Sequence, residues 1–302
     1  MKNKRCAVVL PAGVALAAAA LATACGSSGN TSATGVATAK AQQVSSSTVD
    51  VTQREDSNWS GYTLASSSTD EISFSQVSGT WTQPAVNCSA GSPSDSAFWV
   101  GIGGYTGEGL EQIGTSADCS ATGQAVYSAW YELVPAPQVA VNMTVEPGDQ
   151  LSARVAVSGQ NVTVSISNLT RHTTVSKQLQ MSSPTVSSAE WIAEAPSECD
   201  SSSVQDQDCR ILPLADFGSV TFTDASASAG GRSGPITSGL GAVEALTLKA
   251  NPGFGRMYVA SAEADASPGP LSSSGASFAV DWNRPQLRVP YPSAIPSGPV
   301  FH

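Results

Sequence analysis

Three short segments carry the side chains best suited to acid–base chemistry. In Ala189-Glu190-Trp191-Ile192-Ala193-Glu194, an extended backbone puts Glu190, Ile192 and Glu194 on one face. In residues 127–134, Trp130 and Glu132 share one face, while Tyr131 and Leu133 share the other. In residues 96–103, Phe98, Val100 and Ile102 take one face. Trp99 stands among glycines on the other, which leaves room above its ring for a ligand. Between these two segments, Gln112 sits beside glycine-rich turns in residues 109–114. A held glutamate can serve as general base and then as general acid. Two facing carboxyls could instead cleave a glycosidic bond, and Glu190 with Glu132 is the pair available. Trp99 and Trp130 would then be flat platforms for sugar. Each residue also has a plainer reading: Trp as core, Glu as a solvated strand residue, Gln as a local hydrogen-bonder.

Other chemistries are poorly supplied. The chain has two His, His172 and His302, so a multi-His metal site within one chain is excluded. A Ser-His-Asp or Cys-His catalyst could draw only on His172 unless the tail folds back. His172 lies in Thr170-Arg171-His172-Thr173, read as a solvated hairpin tip with no role. No G-x-S-x-G elbow occurs. Asp+Glu outnumber Lys+Arg by 24 to 14, a net charge of −10, so there is no basic footprint for nucleic acid.

The elements that must position these groups are strands. With 302 residues the chain can bury a sizeable core in one large domain or two small ones. Gly at 27 and Pro at 18 suit a turn-rich β protein. The run Val139-Ala140-Val141-Asn142-Met143-Thr144-Val145 predicts a strand before the turn Glu146-Pro147-Gly148-Asp149. Residues 151–157 and 162–167 predict a hairpin closed by Ser158-Gly159-Gln160-Asn161. Residues 217–223 and 277–282 predict two more strands, and no sustained helical stripe appears outside the leader. Many short strands over residues 56–284 imply one all-β domain, a two-sheet sandwich or barrel.

The termini read as address and tether. Residues 1–25 have a basic start at Lys2, Lys4 and Arg5, then an apolar run broken by Pro11 and Gly13: a signal peptide rather than a permanent span. Leu21-Ala22-Thr23-Ala24-Cys25 resembles a lipobox, which makes Cys25 the candidate lipidation site and the only membrane link expected. Ala22-Thr23-Ala24 also fits ordinary cleavage; on either reading the mature protein is extracellular or on the cell surface. Residues 26–55 lack large apolar groups and read as a flexible tether or short pro-segment, and Pro-rich residues 285–302 as an extended tail. Outside the leader remain Cys88, Cys119, Cys199 and Cys209. In an oxidising compartment they suggest two disulfides, with three connectivities open. Local pairing of Cys199 with Cys209 is the simplest and leaves Cys88 for Cys119. A four-Cys zinc site would need close C-x2-4-C pairs, which are missing.

An ordered series of motifs adds to this reading: N-W-S-G-Y at 58–62, F-W-V-G-I-G-G at 98–104, Q-I-G-T at 112–115, A-W-Y-E at 129–132, A-E-W-I-A-E at 189–194 and A-D-F-G-S-V-T-F-T at 215–223. The series resembles the glutamic peptidases, or eqolisins, over roughly residues 56–284. The resemblance implies two antiparallel sheets in a concanavalin-like jelly-roll sandwich, with the substrate cleft on a concave face. It implies an acid-type endopeptidase that is metal-independent, needs no cofactor, acts as a monomer and takes protein or peptide substrates. It further implies a dyad of Gln112 and Glu190, with Trp99, Trp130 and Glu132 binding substrate. Ionised Glu190 would take a proton from water, and the Gln112 amide would donate to the oxyanion.

Two positions depart from the fungal pattern. Gly103 stands where fungal relatives carry Asp, and Ser116 takes the second acidic position, with Asp118 two residues on. Subsite preference and pH profile are the properties these changes touch. A carbohydrate-active sandwich and a catalytically silent surface protein are the competing expectations. The low content of charged residues, 13%, fits an acid habitat, because few cations limit self-repulsion when carboxylates neutralise.

Overall fold

The computed structural model describes residues 5–6, 49–66, 71–89, 91–105, 107, 109–199, 209–249 and 264–283. Among these residues the regular structure is entirely β, as expected. The strands in chain order begin with β1 (Arg5–Cys6), β2 (Val51–Asp56), β3 (Trp59–Ala65), β4 (Phe74–Thr82), β5 (Ala97–Gly103) and β6 (Leu110–Cys119). Then come β7 (Ala125–Val134), β8 (Val139–Val141), β9 (Gln150–Ser158), β10 (Asn161–Asn168), β11 (Thr173–Gln180), β12 (Ser188–Glu194) and β13 (Ser197–Cys199). The last six are β14 (Cys209–Ile211), β15 (Ser219–Ala229), β16 (Arg232–Pro235), β17 (Ala242–Leu248), β18 (Asp265–Pro268) and β19 (Phe278–Asn283).

The large sheet runs β11-β10-β9-β4-β15-β19-β18-β17-β3-β12-β5-β6-β7-β8, with β16 on β15 and β2 parallel to β17. It folds over on itself. Trp191 of β12 donates its indole N–H to the Ser78 carbonyl of β4 at 2.7 Å. Trp81 of β4 donates to the Thr115 hydroxyl of β6 at 3.0 Å. Gly79 makes this approach feasible, since a Cβ there would lie 2.9 Å from the Trp191 ring. The core between the layers holds Leu64, Phe98, Val100, Ile102, Ile113, Val155, Val164 and Phe222.

Burial explains the sequence patterns. β10 alternates buried and half-buried residues, as a strand with one covered face must. Every residue of β3, β5, β6 and β12 is buried, so these central strands are covered on both faces. One face meets the core; the other carries the polar groups described below.

Several expectations need correction. The strand predicted over 139–145 stops at Val141, because the chain after it is drawn into a turn where the Asp149 carboxylate accepts the Glu146 N–H at 2.9 Å. The stretch 26–55 is not tether to its end: residues 51–55 belong to β2 and pair in register with β17. Gln112 lies inside the ten-residue strand β6 rather than beside a turn. His172 does occupy the exposed tip between β10 and β11, at φ 52°. Cys88 and Cys119 form a disulfide. Cys199 and Cys209 stand directly opposite each other in the β13–β14 register. Cys25, residues 26–48 and residues 285–302 lie outside the described residues.

Candidate active site

The site is a grid set by strand register. One row crosses six strands: Glu244 (β17), Thr63 (β3), Glu190 (β12), Gly101 (β5), Gln112 (β6) and Glu132 (β7). Directly opposed residues project from the same face, so these side chains share one surface. The next row runs Ile192, Trp99, Gly114 and Trp130, and the third runs Trp59, Glu194, Ala97 and Ser116.

Glycine sits between the two candidate dyad residues. Gly101 separates Glu190 from Gln112, and a Cβ there would lie 2.9 Å from both the Trp99 ring and Leu110. Without that side chain the row is open between Glu190 and Gln112, two strand spacings or about 10 Å apart at the backbone. Both are fully buried. The Gln112 amide donates to the Glu132 carboxylate at 2.8 Å, which fixes its plane and leaves its second N–H for another acceptor. The Gln112 carbonyl and both Glu190 oxygens have no full hydrogen bond within the protein. Buried polar groups are normally paired, and these three atoms stand open on one face.

Burial dominates the electrostatics. It pushes the Glu190 carboxyl well above the usual carboxylate range, and the nearby Glu111 charge adds to this. The Ser188 hydroxyl and the Tyr105 N–H act the other way, from outside full hydrogen-bond geometry. Glu194 is pushed up to about 8, chiefly by burial. Its two oxygens accept the Trp99 indole N–H at 2.7 Å and the Asn58 amide at 3.1 Å. Glu111 is pushed up to about 8 by burial as well. Its side chain belongs to the opposite face, where one oxygen accepts the Thr185 N–H at 3.2 Å.

The tryptophans brace the grid. Trp99 has no room above it, contrary to the expectation. Its ring is fully buried, meets Trp59 edge-on at 4.9 Å, and is held by Glu194. A Cβ at Gly114 would come within 2.5 Å of the Trp99 Cβ, so the indole takes the space a side chain would need. Trp130 donates its N–H to the Ser116 hydroxyl at 3.0 Å. Ser116 therefore keeps a polar role at a position that is acidic in fungal relatives. Gly103 is different: at φ 84°, a Cβ would lie 2.6 Å from the Thr185 carbonyl and 2.7 Å from that of Gly109. No aspartate fits this backbone.

Glu194 is the site residue that spacing alone underrated. Alternation had already put it on the Glu190 face, and only register reveals its partners. The glycosidase pair fares badly: Glu132 is engaged by Gln112, and its strand lies three spacings from that of Glu190, roughly 14 Å against the 5–9.5 Å between carboxyls that such enzymes use. Among the described residues, no three His, Cys, Asp or Glu side chains converge to hold a metal.

Comparisons with known proteins bear on the family and the fold. The model of the Peptidase A4 family matches residues 57–252. Aspergillopepsin-2 of Aspergillus niger is 32% identical over 201 residues, 58% of this chain and 65% of that protein, so the chain spans just under two thirds of that relative. Scytalido-glutamic peptidase, solved with a peptide-based transition-state analogue, superposes with a TM-score of 0.57 at 26% identity, over 75% of this chain and 98% of that one. SCP-B, a member of the eqolisin family solved with the tripeptide Ala-Ile-His, gives 0.54 at 26% identity over the same shares.

Proposed function

Because the chain belongs to the peptidase A4 family, we propose that it is an endopeptidase that cleaves protein and peptide substrates through Glu190 and Gln112. The observation that carries this is the open, buried pair: an unengaged Glu190 carboxyl and a Gln112 amide with an N–H to spare, side by side across Gly101. The similar structures that hold a peptide-based analogue and a tripeptide support peptides as the substrate class.

The groups divide the reaction between them. Ionised Glu190 takes a proton from a water, which attacks the scissile carbonyl. The spare Gln112 N–H donates to the developing oxyanion, and Glu132 keeps that amide aimed. Glu190 then returns the proton to the departing amine nitrogen. Burial makes its carboxylate a strong base, and hydrogen bonds from bound water and substrate restore the ionised form. Glu194, held neutral by burial, braces the floor without adding charge. Acid operation is taken over from the family; the raised Glu190 carboxyl works against it unless bound water and substrate restore the ionised form. Export rests on the leader at residues 1–25.

The test is proteolysis of a denatured protein from pH 2 to 7. Glu190→Gln should lower kcat/KM by about 10²–10⁴, the usual worth of a general acid–base. Gln112→Ala should cost about 10²–10³, the usual worth of an oxyanion donor. Pepstatin, which mimics a substrate held between two aspartates, should have no effect. Proteolysis that persists in Glu190→Gln would overturn the assignment.

A further inference from the structure

At the far end of the Glu190 row, three groups from distant parts of the chain meet. The Glu244 carboxylate accepts the Arg54 Nε–H at 3.0 Å, and the same oxygen accepts the Tyr105 hydroxyl. Arg54 comes from β2, Glu244 from β17, and Tyr105 from the turn after β5. Glu244 stands one strand beyond Thr63 in the Glu190 row.

The turn is aimed by glycines. Gly103 and Gly104 both have positive φ, 84° and 90°, which swings the chain over the site face. A Cβ at Gly104 would lie 3.1 Å from Leu110 and 3.2 Å from the Trp59 ring, so the turn lies on that apolar wall. Tyr105 packs against the same cluster of Trp59, Trp99 and Leu110. Trp99 and Trp59 stand in the two rows that follow the Glu190 row, so Tyr105 lies on the wall that flanks it.

We propose that Arg54, Glu244 and Tyr105 are positioning residues: the Tyr105 hydroxyl, moored on Glu244, holds the turn after β5 against Trp59 and Leu110 beside the Glu190 row, and so keeps Glu190 in place. The inference rests on the reading of Glu190 as the general base. The N-terminal strand thereby has a stake in the reaction, because Arg54 completes the mooring. Burial, followed by the Glu244 hydrogen bond, raises the Tyr105 phenol above its ordinary value, so the hydroxyl stays a donor. The Arg54 contact is half-exposed and should matter least of the three.

The test is hydrolysis of an internally quenched peptide by the full chain over pH 2–7. Tyr105→Phe should lower kcat about tenfold with KM within about twofold, because the base is misplaced rather than the substrate lost. Glu244→Gln, which keeps an acceptor for the phenol, should stay within about threefold of the parent, while Glu244→Ala should match Tyr105→Phe. The double variant Tyr105→Phe with Glu244→Ala should be no worse than either single.

Parental kcat in Tyr105→Phe, even with a lowered melting temperature, would make the triad purely structural and overturn the inference. Additive losses in the double variant would overturn it too. An inactive parent protein would instead overturn the Glu190 reading, and this inference with it.

Discussion

The carboxyl of Glu194 accepts the indole N–H of Trp99 at 2.7 Å, and both groups are closed off from solvent. Register explains the pair: Glu194 sits beside Ala97 on β5, two residues before Trp99, so the indole can swing across to it. Trp59, opposite Glu194 on β3, closes the far side of the ring. A residue that reads from its motif as a substrate platform is instead a brace for the strand that carries Glu190.

Trp99→Phe keeps an aromatic ring and deletes the donor. An acceptor left open in a buried site costs about 1–3 kcal/mol. Urea denaturation at pH 4 should show a loss of about that size, with a smaller fall in kcat/KM than in Gln112→Ala. A variant as stable as the parent would mean that the Glu194 contact carries no weight.

The Gln112–Glu132 hydrogen bond makes a second prediction. Glu132→Ala frees the Gln112 amide to rotate, so kcat should fall about tenfold with KM little changed, as expected for lost orientation. In a Gln112→Ala background the same change should have no further effect on kcat. Independent, additive losses would show that Glu132 contacts substrate in its own right.

Much of this site was legible in the sequence, and its limits are physical. Alternation assigned Glu190, Glu194, Trp130 and Glu132 to their faces, because a strand has a period of two whatever surrounds it. The Cys88–Cys119 bridge followed from elimination around a local pair. Register was not legible. That Gly101 separates Glu190 from Gln112, or that Ser116 receives Trp130, depends on pairings between strands far apart in sequence. The Arg54–Glu244 contact spans 190 residues and left no local trace. Nor could alternation say that the space above Trp99 is filled, since Trp59 and Glu194 come from two other strands.

The Cys88–Cys119 disulfide supports the far end of β6, the strand that carries Gln112. It closes a loop of 31 residues. Loop-closure entropy puts its worth at about 3–4 kcal/mol. Cys88→Ala with Cys119→Ala should lower the unfolding free energy by about that amount, measured in urea. A change below about 1 kcal/mol would place the stabilisation of this region elsewhere.

Stability should fall as pH rises. Glu111 and Glu194 keep their protons up to about 8 in the folded chain, whereas an unfolded carboxyl ionises near 4.3. Their contribution is complete below the unfolded value and is lost as pH climbs toward the folded one. Between the two, the folded state holds the extra proton, so each group removes about 1.4 kcal/mol of stability per pH unit. A fold with a typical margin of about 5–15 kcal/mol cannot absorb that for long. Urea midpoints measured at pH 4, 5.5 and 7 should therefore decline. Glu111→Gln isolates one share of the effect. It removes the ionisation, and its amide carbonyl can still accept the Thr185 N–H, so the decline should become shallower by about one proton's worth. A parent protein that grows more stable from pH 4.5 to 7 would show that these carboxyls ionise freely in the fold. The low-charge composition would then need another explanation than life in acid.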